Sequence, residues 1–471
     1  MKKHSRNLHA PLCGIFHPNS VAVARYGNLI RAKSPTNCDA HLAESLFQTR
    51  SGTSKIYTIS EDFYIMLTPD QKKQDCCGCM ACSFACPKSA IQMKTDDCGF
   101  AYPEINQELC VHCGLCARVC PLQENYTGAD AVPDIYALQN HEKNIVSESS
   151  SGGMFSLLAD WTLEQGGVIY GVAFDEGFEV RHMRADSAQS VATFRTSKYV
   201  QSDPSQIYQS ICTDLKNGLT VLLTGTPCQI AGVTRFLEAK HADTANLYTC
   251  DNICHGVPSP GVWKDYLKIL ESRYMDTDAQ ITSINMRSKR VSWKKQVMDV
   301  SVSKGNLLPV LEEFSFNKIF LSLFPVRPSC FHCHFTSYKR LADFTLGDFW
   351  NVDSAGIKFD VTGGVNEVLV NTEKGRKLFA AVRENAVCQP VSKAAGWQPH
   401  LEYSTKAPGN QEAFWTEYNA AADLETKEAL LRKYMKGSTL TRIIRKVNPI
   451  LQKTGLYSIA GKMYKAVFVK K

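Results

Sequence analysis

Apolar and polar positions alternate along this chain in two rhythms. In "AIQMKTDDCGFAYPEINQELC" (90–110) the alternation suits two short strands around a turn at Asp96–Gly99. The polar, turn-rich "ENYTGADAVPD" (124–134) reads as a linker. After it, "IYALQN" and "GGVIYGVAFD" predict strands, and "GGMFSLLADWTLEQG" between them predicts an apolar-periodic helix ending at Gly166. "LTVLLTG" (219–225) predicts a short buried strand, and "TPCQIAGVTRFLEAK" the helix after it. Strand and helix alternate, so the body of the chain is expected to be an α/β core. Residues 1–65 show no sustained period, and are expected to be a poorly ordered extension or the product of a mis-called start near Met66, with a small structured element as the alternative. Towards the end, helical periods are broken at Gly437, Pro449 and Gly455.

Composition alters this picture in two places. With 471 residues, 44% hydrophobic and 21% charged, the chain is ordinary for a globular protein of two or three domains. No run approaches the eighteen or so apolar residues of a membrane span, and the opening "MKKHSRNLHAPLCGIFHPNS" lacks the apolar stretch of a secretory signal, so a cytoplasmic protein is expected. Charge is uneven. From Arg432 onward there are eleven Lys and Arg and no acidic residue, and subtracting them from 53 basic residues leaves 42 against 46 acidic ones. The net +7 therefore belongs to the tail. The body offers no support for nucleic-acid binding. The tail is either a solvated helical face or a peripheral contact with an anionic membrane at its inner side.

Nineteen cysteines carry the chemistry. Cys76, Cys79, Cys82 and Cys86 in "DCCGCMACSFACP" and Cys110, Cys113, Cys116 and Cys120 in "CVHCGLCARVCP" each form C-x2-C-x2-C-x3-C-P. That spacing ligates 4Fe–4S clusters, with the fourth cysteine of each run serving the other cluster. One cluster then takes Cys76, Cys79, Cys82 and Cys120; the other takes Cys110, Cys113, Cys116 and Cys86. Cys77 is a spare thiol with no assigned role. Four more cysteines are scattered: Cys228 in "GTPCQIAG", Cys254 in "DNICHGVPSP", and Cys330 and Cys333 in "RPSCFHCHF". Their spacing leaves open a c-type haem, a zinc site with His332, His334 or His255, or a third cluster. Two Gly-rich segments, "ESSSGGMFSLL" and "LLTGTPCQIAG", place turns ahead of helices, where free N–H groups favour an anion.

From about residue 130 to 400 the chain resembles the coenzyme F420 hydrogenase/dehydrogenase beta-subunit family. "SSGGMFSLLADW", "TSKYVQS", "GTPCQIAG", "CHGVPSP", "RPSCFHC" and "ADFTLGDFW" match it in order. The paired cluster motifs resemble the ferredoxin domain fused to some members. The resemblance implies an FAD-containing core beside one 4Fe–4S cluster held by Cys228, Cys254, Cys330 and Cys333. It implies FAD contacts at Ser151, Gly152, Gly153, Lys198, Tyr199 and Thr226, with Gly347 and Asp348 as weaker candidates. The expected fold class is thus α+β: a two-cluster ferredoxin-like domain at 66–127, a larger α/β flavin-binding domain at 130–400, and a helical basic tail at 401–471. Flavin converts single electrons from clusters into hydride transfer to or from F420. Members with the same fusion also occur beside glycan-assembly enzymes, which makes a glycan precursor the other expected substrate. The expected partner is a ferredoxin, or a subunit of a hydrogenase or dehydrogenase, and a pure relay without its own substrate is the competing reading. Catalytic residues are left unassigned, with His255 either tuning a cluster, relaying a proton or simply packed.

Overall fold

The computed structural model describes residues 74–122, 128, 132–295 and 297–436. The expectations for residues 1–65 and for the basic segment from 437 lie outside the described residues.

The cysteine-rich segment runs α1 (Ala81–Ala85), β1 (Ile91–Thr95), β2 (Ala101–Ile105) and α2 (Leu115–Arg118). β1 and β2 pair antiparallel, Ile91 opposite Ile105 and Thr95 opposite Ala101. Their turn closes where Gly99 N–H donates to Asp96 O at 2.8 Å. Each short helix follows a left-handed residue, Met80 (φ 68) or Gly114 (φ 71), directly after the second cysteine of its run. The two cysteine runs therefore fold alike.

The body continues with β3 (Asp134–Asn140), α3 (Lys143–Glu148), α4 (Met154–Glu164), β4 (Val168–Phe174), β5 (Val180–Ala185), α5 (Ile207–Lys216), β6 (Val221–Gly225), α6 (Pro227–Ala239), β7 (Leu247–Asn252) and α7 (Pro260–Tyr274). A hairpin of β8 (Ile281–Ser288) and β9 (Val297–Val302) precedes β10 (Phe344–Asp348), β11 (Asn366–Val370), α8 (Glu373–Val382), β12 (Ala386–Pro390), α9 (Gln411–Ala420) and α10 (Leu424–Met435). Eight strands form one mixed sheet in the order β12-β3-β11-β10-β7-β6-β4-β5. β10, β7, β6 and β4 are parallel at its centre; the flanking pairs are antiparallel. Strands covered on both faces read as unbroken apolar runs, and Val221, Leu222 and Leu223 of β6, like Val368, Leu369 and Val370 of β11, are all buried.

One face of the sheet packs Leu222, Phe344 and Val368 against Met154 and Leu158 of α4 and Phe379 of α8. The other packs Tyr170, Val221 and Leu223 against Tyr208, Ile230 and Phe236, and this core also takes in Cys79, Ala81, Ala85 and Val119 of the cysteine-rich segment. That segment is built into the body rather than hung from it. A third core gathers Trp263, Tyr266, Phe314 and Phe316 with Phe414, Tyr418, Leu431 and Tyr434. Helices α9 and α10, inside the segment read as a basic tail, thus belong to the packed body.

Candidate redox site

The fold gathers the twelve motif cysteines into three groups. Cys82 and Cys120 each lie within reach of the charge of Cys76, and Cys79 of that of Cys120 and Cys82; Cys82 and Cys120 also feel Cys116, so the first two groups adjoin. Cys116 senses Cys113, Cys110 and Cys86. The third group combines Cys228 in the first turn of α6, Cys254 just past β7, and Cys330 and Cys333 from a 3-10 turn at Pro328–His332. These four line one small cavity of about 40 Å³. Burial pushes the thiols of Cys116 and Cys120 up to about 11 and that of Cys254 up to about 12. Buried thiols of this kind ionise when a cation takes the charge, as a coordinating metal does. Among the described residues, no three His, Cys, Asp or Glu side chains converge on a single-ion site.

The two ferredoxin-like groups differ in setting. Cys79 is 7% exposed, and its sulfur lies against α6, where a Cβ on Gly232 would come within 2.8 Å of it. Tyr208 donates its hydroxyl to Cys79 O, and Phe84 stacks on the same ring at 4.8 Å. Arg327, 1% exposed, reaches in from the body. It donates to Cys76 O at 2.7 Å, Ala101 O at 3.0 Å and Gln201 Oε1 at 3.0 Å, and lies 4.1 Å from the Tyr102 ring centre. Around the other group, Cys113 is exposed, flanked by Val111 at 48% and Leu109 at 50% exposure.

A larger cavity of about 330 Å³ opens at the carboxyl ends of β6, β7 and β10, the place where open α/β sheets bind ligands. Ser151, Gly153, Lys198, Tyr199 and Thr226 line it, as do Gly347 and Asp348; Gly152 does not. Local structure explains several of these residues before any ligand is considered. A Cβ on Gly152 would stand 2.2 Å from Leu138 O, so glycine lets the turn press onto β3. Gly153 (φ +86) makes the left-handed step into α4, whose first N–H, Met154, donates to Asn366 Oδ1 at 3.0 Å. Ser151 Oγ donates to Val365 O at 2.6 Å. Lys198 is half-buried with Nζ donating to Thr193 O at 2.6 Å, Arg195 O at 2.8 Å and Thr196 O at 3.2 Å, and desolvation pulls its pKa down to about 7. Its ammonium holds its own loop. Thr226 bonds Gln229 Oε1 at 2.9 Å and sits 3.2 Å from Cys228 Sγ, opening α6. Tyr199 presents a ring stacked on Phe320 at 5.1 Å.

Lys289 and Asp251 gave no sequence signal, whereas His255 was a candidate from its place beside Cys254. Lys289 donates to Val146 O, Ser151 O and Gly363 O, pinning the Ser149–Gly153 turn from β8's far side. Asp251 lines the cavity with Oδ2 3.6 Å from Arg340 Nη1; its Oδ1 and the guanidinium's Nε and Nη2 are buried without partners. His255 lies 4.1 Å from His400 between ring centres, and burial first, then His400, lowers it to about 3, so it is neutral at pH 7. Cys254, Gly256 and Val257 line both cavities, so the cysteine pocket and the larger cavity share a wall.

Residues 218–393 match the family described as the C-terminal part of the coenzyme F420 hydrogenase/dehydrogenase beta subunit. Residues 75–123 match the 4Fe-4S dicluster domain, and residues 1–59 a family of unknown function. Over 74 residues, 16% of this chain and 69% of the relative, the chain is 34% identical to pyruvate synthase subunit PorD of Thermotoga maritima. A solved structure of the F420-reducing NiFe hydrogenase complex from Methanosarcina barkeri is 16% identical with a TM-score of 0.37, covering 69% of this chain and 94% of the chain matched. No helix among the described residues is long and apolar enough to cross a membrane.

Proposed function

The chain belongs to the coenzyme F420 hydrogenase/dehydrogenase beta-subunit family, with a 4Fe–4S dicluster domain ahead of the family's body, and we propose that it is an iron–sulfur flavoprotein oxidoreductase exchanging electrons with a protein partner and a hydride with a soluble substrate. The observation that carries this reading is the shared wall: Cys254 faces both the cavity lined by Cys228, Cys330 and Cys333 and the larger cavity at the strand ends.

The residues present fit the groups the family implies. An all-sulfur donor set suits an iron–sulfur cluster. We assign Cys228, Cys254, Cys330 and Cys333 to a third cluster, and the larger cavity to FAD. Bound there, the cluster would supply single electrons and FAD the conversion between one- and two-electron chemistry. The chain's own contribution is placement. Lys198 and Lys289 each clamp three carbonyls and so hold two walls of the FAD cavity, Tyr199 offers an aromatic face, and Gly152 and Gly153 bring the Ser149–Gly153 turn onto the sheet. Neutral His255 and buried Asp251 are the groups positioned to hold a proton at the cavity. F420 and glycan precursors are the substrates to try, and a ferredoxin, or a subunit of a hydrogenase or dehydrogenase, is the partner. Peripheral membrane contact through the basic segment rests on its charge alone.

A relay without its own substrate is the second reading, favoured by the matched relative being named as a subunit. Mixing the oxidised protein anaerobically with reduced F420, then with glycan precursors, separates the two. Bleaching of the flavin band by a soluble compound supports the enzyme. Bleaching only by a reduced protein partner supports the relay, and absence of a flavin band contradicts both.

A further inference from the structure

The first cysteine run carries one thiol more than its cluster needs. Cys77 lies between Cys76 and Gly78, and the fold gives it a place of its own. Together with Cys228, Cys254, Cys330 and Cys333 it lines the small cavity, so five cysteines surround a site where a cube takes four. Its side chain thus faces the same space as the four cysteines contributed by the body. The position is held by the body, not by the ferredoxin loop alone. Gln201 Nε2 donates to Cys77 O at 2.9 Å, and Gly78 (φ +68) leaves no room for a Cβ, which would meet Arg327 Nη1 and Gln201 Nε2 at 2.9 Å.

We propose that Cys77 is a fifth thiol of the third-cluster site, set there by the ferredoxin segment as a donor to the cluster held by Cys228, Cys254, Cys330 and Cys333. The inference rests on the third-cluster reading above. A thiol S–H is a weak donor, and a ligated thiolate is an acceptor. Hydrogen bonds to cluster sulfurs help set reduction potential. A donor beside the cluster stabilises the extra negative charge of its reduced form, so Cys77 raises the third cluster's potential. The ferredoxin segment therefore does more than deliver electrons: it completes the environment of the site that receives them.

The test uses the full chain purified without oxygen, as wild type, Cys77→Ala and Cys77→Ser, with iron counted and the clusters titrated under paramagnetic resonance. The expected result is wild-type iron in both variants, with one cluster shifted to lower potential in Cys77→Ala and returned towards its original position in Cys77→Ser, whose hydroxyl keeps a donor in place. An unshifted titration in Cys77→Ala overturns the proposal. So does loss of about four irons in that variant, because Cys77 would then be a ligand and not a donor beside the ligands. Wild type holding only about eight irons overturns the third-cluster reading itself, and this proposal falls with it.

Discussion

The two ferredoxin-like cysteine groups share one spacing and one local fold, yet the protein treats them differently. The group of Cys76, Cys79, Cys82 and Cys120 is embraced by the body: Arg327, Gln201 and Tyr208 bond its loop, and Gly232 lets α6 close onto Cys79. The group of Cys86, Cys110, Cys113 and Cys116 includes an exposed cysteine beside exposed Leu109 and Val111. Identical motifs have thus been given different jobs by what packs on them. On the proposed function, the inner group is the one placed to pass electrons into the body, and the outer group, with its exposed cysteine, is the one a partner would meet.

The hardest blow to that asymmetry is Arg327→Met. It leaves Cys76 O, Ala101 O and Gln201 Oε1 without their buried donor, an expected cost of roughly 3–5 kcal/mol in urea unfolding. A cost near zero would mean that the inner group is not tied to the body through this side chain. Acid should weaken the same wall. His182 is buried, bonds Thr224 O at 3.1 Å and Ser202 Oγ at 3.1 Å, and burial lowers it from 6.5 to about 4. Below pH 6.5 the unfolded chain gains a proton that the folded one refuses until about pH 4. Stability therefore falls as pH drops through that window, by about 3 kcal/mol at its floor. His182→Gln should flatten this part of the pH profile.

Gly232→Ala drives a Cβ to 2.7 Å from Cys79 Cβ and should cost about 1–3 kcal/mol while disturbing the inner cluster's spectrum and sparing the outer one. Smallest in stability is Leu109→Ser with Val111→Ser, expected within about 0.5 kcal/mol of wild type. Its effect should appear instead as slower reduction by a protein partner, with reduction by a small chemical reductant unchanged. Equal slowing of both would remove the outer group as the docking face.

Legibility followed distance along the chain. Each ferredoxin run packs its four motif cysteines into eleven positions, and their grouping could be read from spacing. The third group spans Cys228 to Cys333, and its assignment came through resemblance because no local period joins those residues. The strand and helix at Val221–Ala239 were plain in the apolar pattern. Helices α9 and α10 were read as tail because the charges around Phe414, Tyr418, Leu431 and Tyr434 blur the period that buries them. Lys198 lines the larger cavity as the resemblance implied, and the three carbonyls of its own loop that its ammonium caps left no mark in sequence. The Arg327–Cys76 link joins residues 251 positions apart and leaves none at all.

Iron, sulfide and flavin counted per chain, in protein purified without oxygen, test the central claim most directly. Three cysteine sites leading to an FAD cavity predict about twelve irons, a matching amount of sulfide and about one FAD. About eight irons with no flavin would contradict the account, leaving a two-cluster ferredoxin on a body that handles no electrons of its own.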